Sequence, residues 1–183
     1  MSRFTPIAAA LALAAAPAAF AAARTPMVGG AAMYPSRNIV ENAAQSKSHT
    51  TLVAAVKAAG LVDTLAGAGP FTVFAPTNAA FGKLPAGTVD TLLKPENKPA
   101  LQSVLTYHVV PGRVSAAQLT AKIKAGGGMA KLATVQGGTL TARLVGGKVV
   151  LTDEKGGRAT VTQADVFQSN GVIHVTDAVS LPR

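Results

Sequence analysis

Apolar residues follow a helical period through the first half of this chain and a period of two through the second half. Where they recur every three or four positions, helices are predicted at 36–42, 52–59, 62–65, 79–84, 89–93, 99–107 and 116–125. From Lys131 onward, strict alternation predicts strands at 132–135, 139–145, 148–152, 159–166 and 172–175. Glycine pairs at 137–138, 146–147 and 156–157 suit the tight turns between them, because positive φ costs glycine little. The second half is therefore predicted to be an antiparallel meander.

One strand is predicted among the helices of the first half. The apolar run Phe71–Phe74 is compact enough for a buried strand, and Pro76 closes it. Thr77 or Asn78 is predicted to cap the helix that follows, because their side-chain oxygens can accept from the first turn. Further N-caps are predicted at Ser36, Asn97 and Ser115. The predicted order begins with helices that include one early strand and ends with a run of strands. This order indicates an α+β fold.

The first residues have the organisation of a secretory signal peptide. A basic start at Met1-Ser2-Arg3 precedes an apolar run over residues 7–22 and the small residues Ala21-Ala22-Ala23. The run is interrupted by Pro17 and is shorter than the ~20 residues of a membrane span, so a retained anchor is the weaker alternative. Cleavage near Ala23 is expected, which predicts a secreted or periplasmic protein.

The rest of the chain is predicted to form one domain. Residues 24–35 contain two prolines and the Gly29-Gly30 pair without an apolar period, so they are predicted to be a flexible lead-in. Residues 36–183 are long enough to bury one sizeable core, and a monomer is expected. No other apolar run is long enough to form a transmembrane segment after removal of the signal peptide. The chain has no cysteine, so disulfides and cysteine-ligated zinc are excluded.

The charge of the chain favours anionic partners. Lysine and arginine number 17 against 8 aspartates and glutamates, and removal of residues 1–23 takes away only Arg3. A field of this sign attracts acidic polysaccharides, lipid headgroups and phosphates. Nucleic acid is not expected as a partner, because the few aromatic side chains give no platform for stacked bases. The basic residues are scattered along the sequence, so an ordinary solvated surface is the alternative interpretation.

Histidine is the residue type that invites a catalytic or metal-binding interpretation. His108 continues the apolar face of the helix over 99–107, and His174 is flanked by Ile173 and Val175, so buried structural roles are favoured for both. His49 is predicted to lie on the surface at a helix start. The histidines lack any short metal-ligand spacing, and no nucleophile elbow, phosphate loop or dinucleotide fingerprint is present. No metal, no cofactor and no enzymatic activity are predicted.

Three segments, in this order, resemble the signature blocks of the fasciclin domain family. The first is Gly69-Pro70-Phe71-Thr72-Val73-Phe74-Ala75-Pro76-Thr77-Asn78-Ala79-Ala80-Phe81, the second is Tyr107-His108-Val109-Val110-Pro111-Gly112, and the third runs from Ser169 through Asn170, Gly171 and His174 to Asp177. The segments around Met33-Tyr34-Pro35 and Lys94–Lys98 further resemble a bacterial exported branch that includes symbiotically induced proteins. The resemblance covers roughly residues 36–182.

This resemblance implies a wedge-shaped α+β domain, commonly extracellular, that acts in adhesion or matrix interaction. The implied partner is a protein or an anionic polysaccharide of a cell surface or matrix. The resemblance associates Tyr107 and His108 with partner recognition, although core packing is the competing role for both. The structural motif residues it implies are Phe71, Phe74, Pro76, Thr77, Asn78, Gly171, His174 and Asp177. An alternative function is a small-ligand or glycan-binding carrier, or an uncharacterised enzyme, with a pocket near His108 and His174.

Overall fold

The computed structural model describes residues 25–183, and the predicted signal peptide with its cleavage site lies outside this range. The α-helices are α1 Ile39–Gln45, α2 Thr50–Ala59, α3 Val62–Ala66, α4 Asn78–Gly82, α5 Thr88–Leu92, α6 Lys98–Tyr107 and α7 Ala116–Ala125. A short 3-10 turn at Pro95–Asn97 precedes α6. Within residues 25–183, no helix combines the length and the apolar composition that a membrane crossing requires.

The strands form one small hairpin and one large sheet. They are β1 Met27–Val28, β2 Ala31–Ala32, β3 Phe71–Pro76, β4 Val109–Pro111, β5 Met129–Ala133, β6 Thr139–Val145, β7 Lys148–Thr152, β8 Arg158–Gln168 and β9 Gly171–Thr176. The large sheet has the order β4-β3-β9-β8-β7-β6-β5. Only β3 and β9 pair in parallel in this sheet, with Phe71 opposite Gly171 and Phe74 opposite His174. The predicted α+β class with a mostly antiparallel sheet is confirmed.

Strand β8 connects two hydrophobic cores. Its first residues pair with β7, and its later residues pair with β9 across register shifts between Val161 and Val166. Such irregularities bend a strand and increase its twist. One core lies between the helices α1–α6 and strands β3, β4 and β9. The other is enclosed by β5–β8 and α7 and includes Phe74 and Tyr107.

Side-chain caps fix where the helices begin. Thr77 Oγ1 accepts a hydrogen bond from the backbone N of Ala80 at 3.2 Å, so Thr77 caps α4 as predicted. Asn78 acts instead on α2, because its Oδ1 accepts from the backbone N of Thr51 at 3.0 Å. Ser115 caps α7 as predicted, in a capping box with Gln118.

The predicted cap at Ser36 is wrong, and Asn97 holds the predicted N-cap position of α6 without a capping bond. Helix α1 is capped by Asn38 and not by Ser36, because Asn38 Oδ1 accepts from Glu41 N while Glu41 Oε2 accepts from Asn38 N. This reciprocal pair satisfies two backbone donors, which Ser36 could not do from two residues further away. Asn97 makes no capping bond to α6, since its amide donates to the Thr91 carbonyl at 2.7 Å.

Within the segment predicted as a flexible lead-in, residues 25–35 contain a packed element. Strands β1 and β2 pair as a hairpin around Gly29 and Gly30, which have φ of 58° and 78°. Two positive φ values in a two-residue turn are typical of hairpins with the natural strand twist. Val28 and Met33 are buried in the helical core. The glycines that suggested a linker are therefore the turn of a packed element.

Candidate functional site

Tyr107, predicted as a recognition residue, lies inside the second core. Its side chain is 0% exposed, and its hydroxyl donates to the Thr139 carbonyl at 2.8 Å and accepts from the Glu154 backbone N at 3.2 Å. Burial raises the pKa of the phenol, and the carboxylates of Glu154 and Asp153 raise it further against the effect of that N–H bond. The phenol therefore links α6 to the start of β6 and to the turn after β7. A part for Tyr107 in partner recognition stays a prediction.

His108 joins the end of α6 to the C-terminal segment. Its Nδ1 lies 2.8 Å from the Val104 carbonyl, and its Nε2 accepts from the backbone N of Ser180 at 2.9 Å. An amide nitrogen can only donate, so the ring proton is on Nδ1 and the imidazole is neutral. Burial lowers the pKa of His108, against a smaller opposing effect of the Val104 carbonyl. Both ring nitrogens are occupied by backbone groups.

His174 has a similar structural environment at a different place. Its Nδ1 accepts from the backbone N of Asp165 at 3.3 Å, and its Nε2 donates to the Val114 carbonyl at 2.8 Å. Its ring stacks on Phe74 with 5.5 Å between the ring centroids. Burial lowers the pKa of His174 as well, with the Val114 carbonyl and the Asp165 carboxylate opposing it. The ring thus ties β9 to the bulge of β8 and to the segment before α7.

A pocket shared by His108 and His174 was the alternative suggested by the sequence, and the structure separates them. A cavity between the helices and β3, β4, β8 and β9 is lined by His108 and by His49, but not by His174. The prediction that His49 lies on the surface is wrong, because its side chain is only 3% exposed. Among residues 25–183, no three histidine or acidic side chains converge as a metal site would require.

The other motif residues hold the strands and turns around β3 and β9. Phe74 is buried, Phe71 is half-buried and pairs with Gly171, and a Cβ at Gly171 would collide with the Phe71 carbonyl. Pro76 ends β3 opposite Thr176. Asp177 Oδ1 accepts from the backbone N of Thr160 at 2.7 Å, and its Oδ2 lies 3.8 Å from Lys83 Nζ.

The structure gathers cations that are scattered in the sequence. The outward positions of β5, β6, β7 and the first half of β8 carry four exposed cations, Lys131, Arg143, Lys148 and Arg158. We call this surface the cationic face. Its other outward side chains are apolar or threonine, and none is acidic.

Pairing register sets the spacing on the cationic face. One row of paired residues crosses the four strands from β5 to β8 and has a cation at each end. In order, the row is Lys131, Thr141, Thr152 and Arg158. Neighbouring strands are about 4.8 Å apart, which puts the backbones of Lys131 and Arg158 about 14 Å apart. Arg143 occupies the next row, opposite Met129.

The two acidic side chains of the turn after β7 are bonded to backbone amides. In the turn after β7, Asp153 Oδ1 accepts from the backbone N of Lys155 and Gly157, and Asp153 Oδ2 accepts from that of Leu181. Glu154 Oε1 accepts from the backbone N of Thr139 at 3.1 Å. The one ion pair found within residues 25–183 joins Lys83 and Asp177, so the four cations of the face have no carboxylate partner there.

Comparison with known proteins identifies a family and several relatives. The family model described as "Fasciclin domain" matches residues 47–182. Protein sll1483 of Synechocystis sp. is 51% identical over 159 residues, which are 87% of this chain and 81% of that protein. Immunogenic protein MPB70 of Mycobacterium bovis is 39% identical over 138 residues, 73% of this chain and 63% of that protein.

Two further comparisons involve longer proteins. Cell surface glycolipoprotein MPB83 of Mycobacterium bovis is 39% identical over 122 residues, which are 67% of this chain and 48% of that protein. A solved FAS1 domain pair from the insect cell adhesion molecule fasciclin I superposes with a TM-score of 0.70 at 19% identity, over 79% of this chain and 51% of that one. At that identity the superposition shows a shared fold.

Proposed function

The chain belongs to the fasciclin domain family, and on this premise we propose that it is an exported adhesion or interaction module that acts without catalysis. It would work at the cell surface, in the periplasm or in the surrounding matrix. The proposed location is supported by the signal-like leader of the sequence and by a relative described as a cell surface glycolipoprotein. Support for the adhesion role comes from the family and from the fold shared with an insect cell adhesion molecule.

The observation that carries the proposed partner is the cationic face. An acidic polysaccharide presents a regular series of carboxylates on an extended chain, and this face presents four cations on a sheet with no carboxylate among its outward side chains. Single exposed ion pairs contribute only about 0.2–1 kcal/mol each, so useful affinity requires several at once. The threonine hydroxyls between the cations can hydrogen-bond to sugar hydroxyls.

A binding measurement with matched charge variants tests this proposal. The purified protein is passed over immobilised polygalacturonate, with neutral dextran as the reference surface. The sheet variant replaces Lys131, Arg143, Lys148 and Arg158 by serine. The control variant replaces four exposed lysines of the helical half by serine, at Lys47, Lys57, Lys94 and Lys98.

We expect the sheet variant to lose at least about tenfold in affinity, while the control variant stays within about threefold. Equal losses in the two variants would mean that net charge alone is responsible, and the assignment to the face would fail. If the native protein does not bind polygalacturonate above the dextran reference, the acidic polysaccharide is ruled out as a partner. A protein partner would then be sought on intact cells.

A further inference from the structure

The cavity of the helical core is the second candidate binding site. It has a volume of about 40 Å³ and lies where α1, α2 and α3 cover strands β3 and β9. Its wall is almost entirely aliphatic, with Ile39, Leu52, Val56 and Ile173 among the buried side chains that form it. An apolar cavity of this kind stays dry and can bind small apolar molecules.

His49 lines this cavity and carries an unsatisfied polar atom. Its Nδ1 lies 2.9 Å from Ser46 Oγ, but its buried Nε2 has no hydrogen-bond partner within residues 25–183. The Ala75 carbonyl is near enough to raise the pKa of the ring, but it lies outside hydrogen-bond geometry. A buried nitrogen without a partner is costly, and native proteins rarely keep one without a role for it.

The second histidine of the cavity wall, His108, differs from His49 in its hydrogen bonds. His108 has both ring nitrogens bonded to the backbone, so it offers nothing to a ligand. Of the two imidazoles in the cavity wall, His49 is the one with hydrogen-bonding capacity left. Burial lowers the pKa of His49, so the ring is neutral near pH 7. A neutral, desolvated imidazole suits an uncharged oxygen better than a carboxylate, because a buried anion would need a positive partner.

We propose that this cavity binds a small, mainly apolar molecule that carries one hydroxyl or carbonyl oxygen. The oxygen hydrogen-bonds to His49 Nε2, and the hydrocarbon part packs against the aliphatic wall. This binding site is separate from the cationic face, and the inference does not rest on the adhesion role.

The size and the opening of the cavity restrict the ligand. One water needs about 10–15 Å³, so the cavity has room for about three waters, which limits the ligand to about three or four heavy atoms. Ala43, Val53 and Val62 are only half-buried, and Lys57 is exposed. These residues of α1, α2 and α3 therefore mark the side from which a ligand enters.

Three small probes test the proposal on the full purified protein: 2-propanol, isobutane and propionate. Binding is followed by the amide chemical shifts of the cavity residues and by the ring nitrogen shifts of histidine. We expect 2-propanol to bind about fivefold more tightly than isobutane, which is the gain from one buried neutral hydrogen bond. The Nε2 resonance of His49 should move with 2-propanol and not with the hydrocarbon.

Two variants separate the hydrogen bond from the cavity itself. His49→Leu removes the unsatisfied nitrogen together with the Nδ1 contact to Ser46 Oγ, and it should bind both neutral probes with equal affinity. Ala43→Leu fills the cavity and should abolish binding of both, whereas Ala44→Leu, at the exposed neighbouring position, should leave binding unchanged. The amide spectrum of each variant reports whether the fold is retained.

Several results would overturn the proposal. These are absence of binding by the native protein, equal affinity for 2-propanol and isobutane, or a preference for the alcohol that survives in His49→Leu. Tightest binding of propionate would also overturn it, because the ligand head would then be an anion beside Lys57. Binding of polygalacturonate should be unaffected by His49→Leu, so the two proposals can fail independently.

Discussion

Asn170 Oδ1 accepts a hydrogen bond of 3.0 Å from the backbone N of Ile39, which lies 131 residues earlier in the chain. The Nδ2 of the same side chain donates to the carbonyls of Leu65 and Gly67 at 2.7 and 2.8 Å. One buried amide therefore fixes the start of α1 and the end of α3 to the turn between β8 and β9. This contact also closes one end of the helical layer over the sheet.

Asn170→Ala is expected to destabilise the protein by about 2–4 kcal/mol, because it leaves one buried N–H and two carbonyls without their partner. Urea unfolding followed by circular dichroism measures this change. Asn97→Ala is the control, since the Asn97 amide makes one exposed bond to the Thr91 carbonyl and its loss should cost less than about 1 kcal/mol. Equal costs for the two variants would contradict the role assigned to Asn170.

The sequence predicted strands on both sides of Asn170 but did not predict this contact. Turn residues, helix faces and alternating strands are local signals, and they gave the helices, the meander and the Thr77 and Ser115 caps. The partners of the Asn170 amide are more than 100 residues away, and only the packing of α1 and α3 brings them there. Local pattern carries no information about such a pairing.

Two features of the candidate sites, the burial of His49 and the outward direction of the sheet cations, could have been predicted from the sequence. His49 lies three positions before Leu52 and seven before Val56, which puts it on the same apolar helix face and could have predicted its burial. Alternation points Lys131 and Arg158 outward from their strands. Their alignment in one row depends on the register of three strand pairs, which alternation alone does not give.

Tyr107→Phe is expected to cost about 1–3 kcal/mol of stability. The Thr139 carbonyl and the Glu154 backbone N would lose their bonds to the hydroxyl, in a place where the ring is fully buried. Chemical denaturation of the variant gives the change. Tyr34→Phe serves as the matched control, because Tyr34 is 45% exposed and its replacement should alter stability by less than about 0.5 kcal/mol. If the Tyr107→Phe variant were as stable as the native protein, the hydroxyl would have no architectural role.

Acidification is expected to destabilise the protein through its three buried histidines. The pKa values of His49, His108 and His174 are all lowered by burial, so below about 6.5 the unfolded chain binds protons that the folded chain does not. The stability from this source is fully present above the unfolded pKa of 6.5 and is lost as pH falls through the folded pKa values. Each histidine contributes a slope of up to about 1.4 kcal/mol per pH unit in that window.

Urea unfolding at a series of pH values between 7.5 and 5 measures this slope. His49→Leu should reduce it by the share of one histidine, because that variant removes a titrating group without breaking a bond of its Nε2. Stability that does not change between pH 7.5 and 5 would show that the three rings are not held neutral by the fold.

Met33→Ala is expected to lower the free energy of unfolding by about 2–5 kcal/mol, because truncating a buried methionine leaves a cavity. Met33 is 1% exposed in the core that also contains Ile39, although its segment has the composition of a linker. Met27→Ala is the matched control, because Met27 is 57% exposed and its loss should change stability by less than about 0.5 kcal/mol. Thermal and urea unfolding of both variants check the difference. If Met33→Ala were as stable as Met27→Ala, residues 27–33 would be an appendage, and the domain would begin where the flexible lead-in was predicted to end.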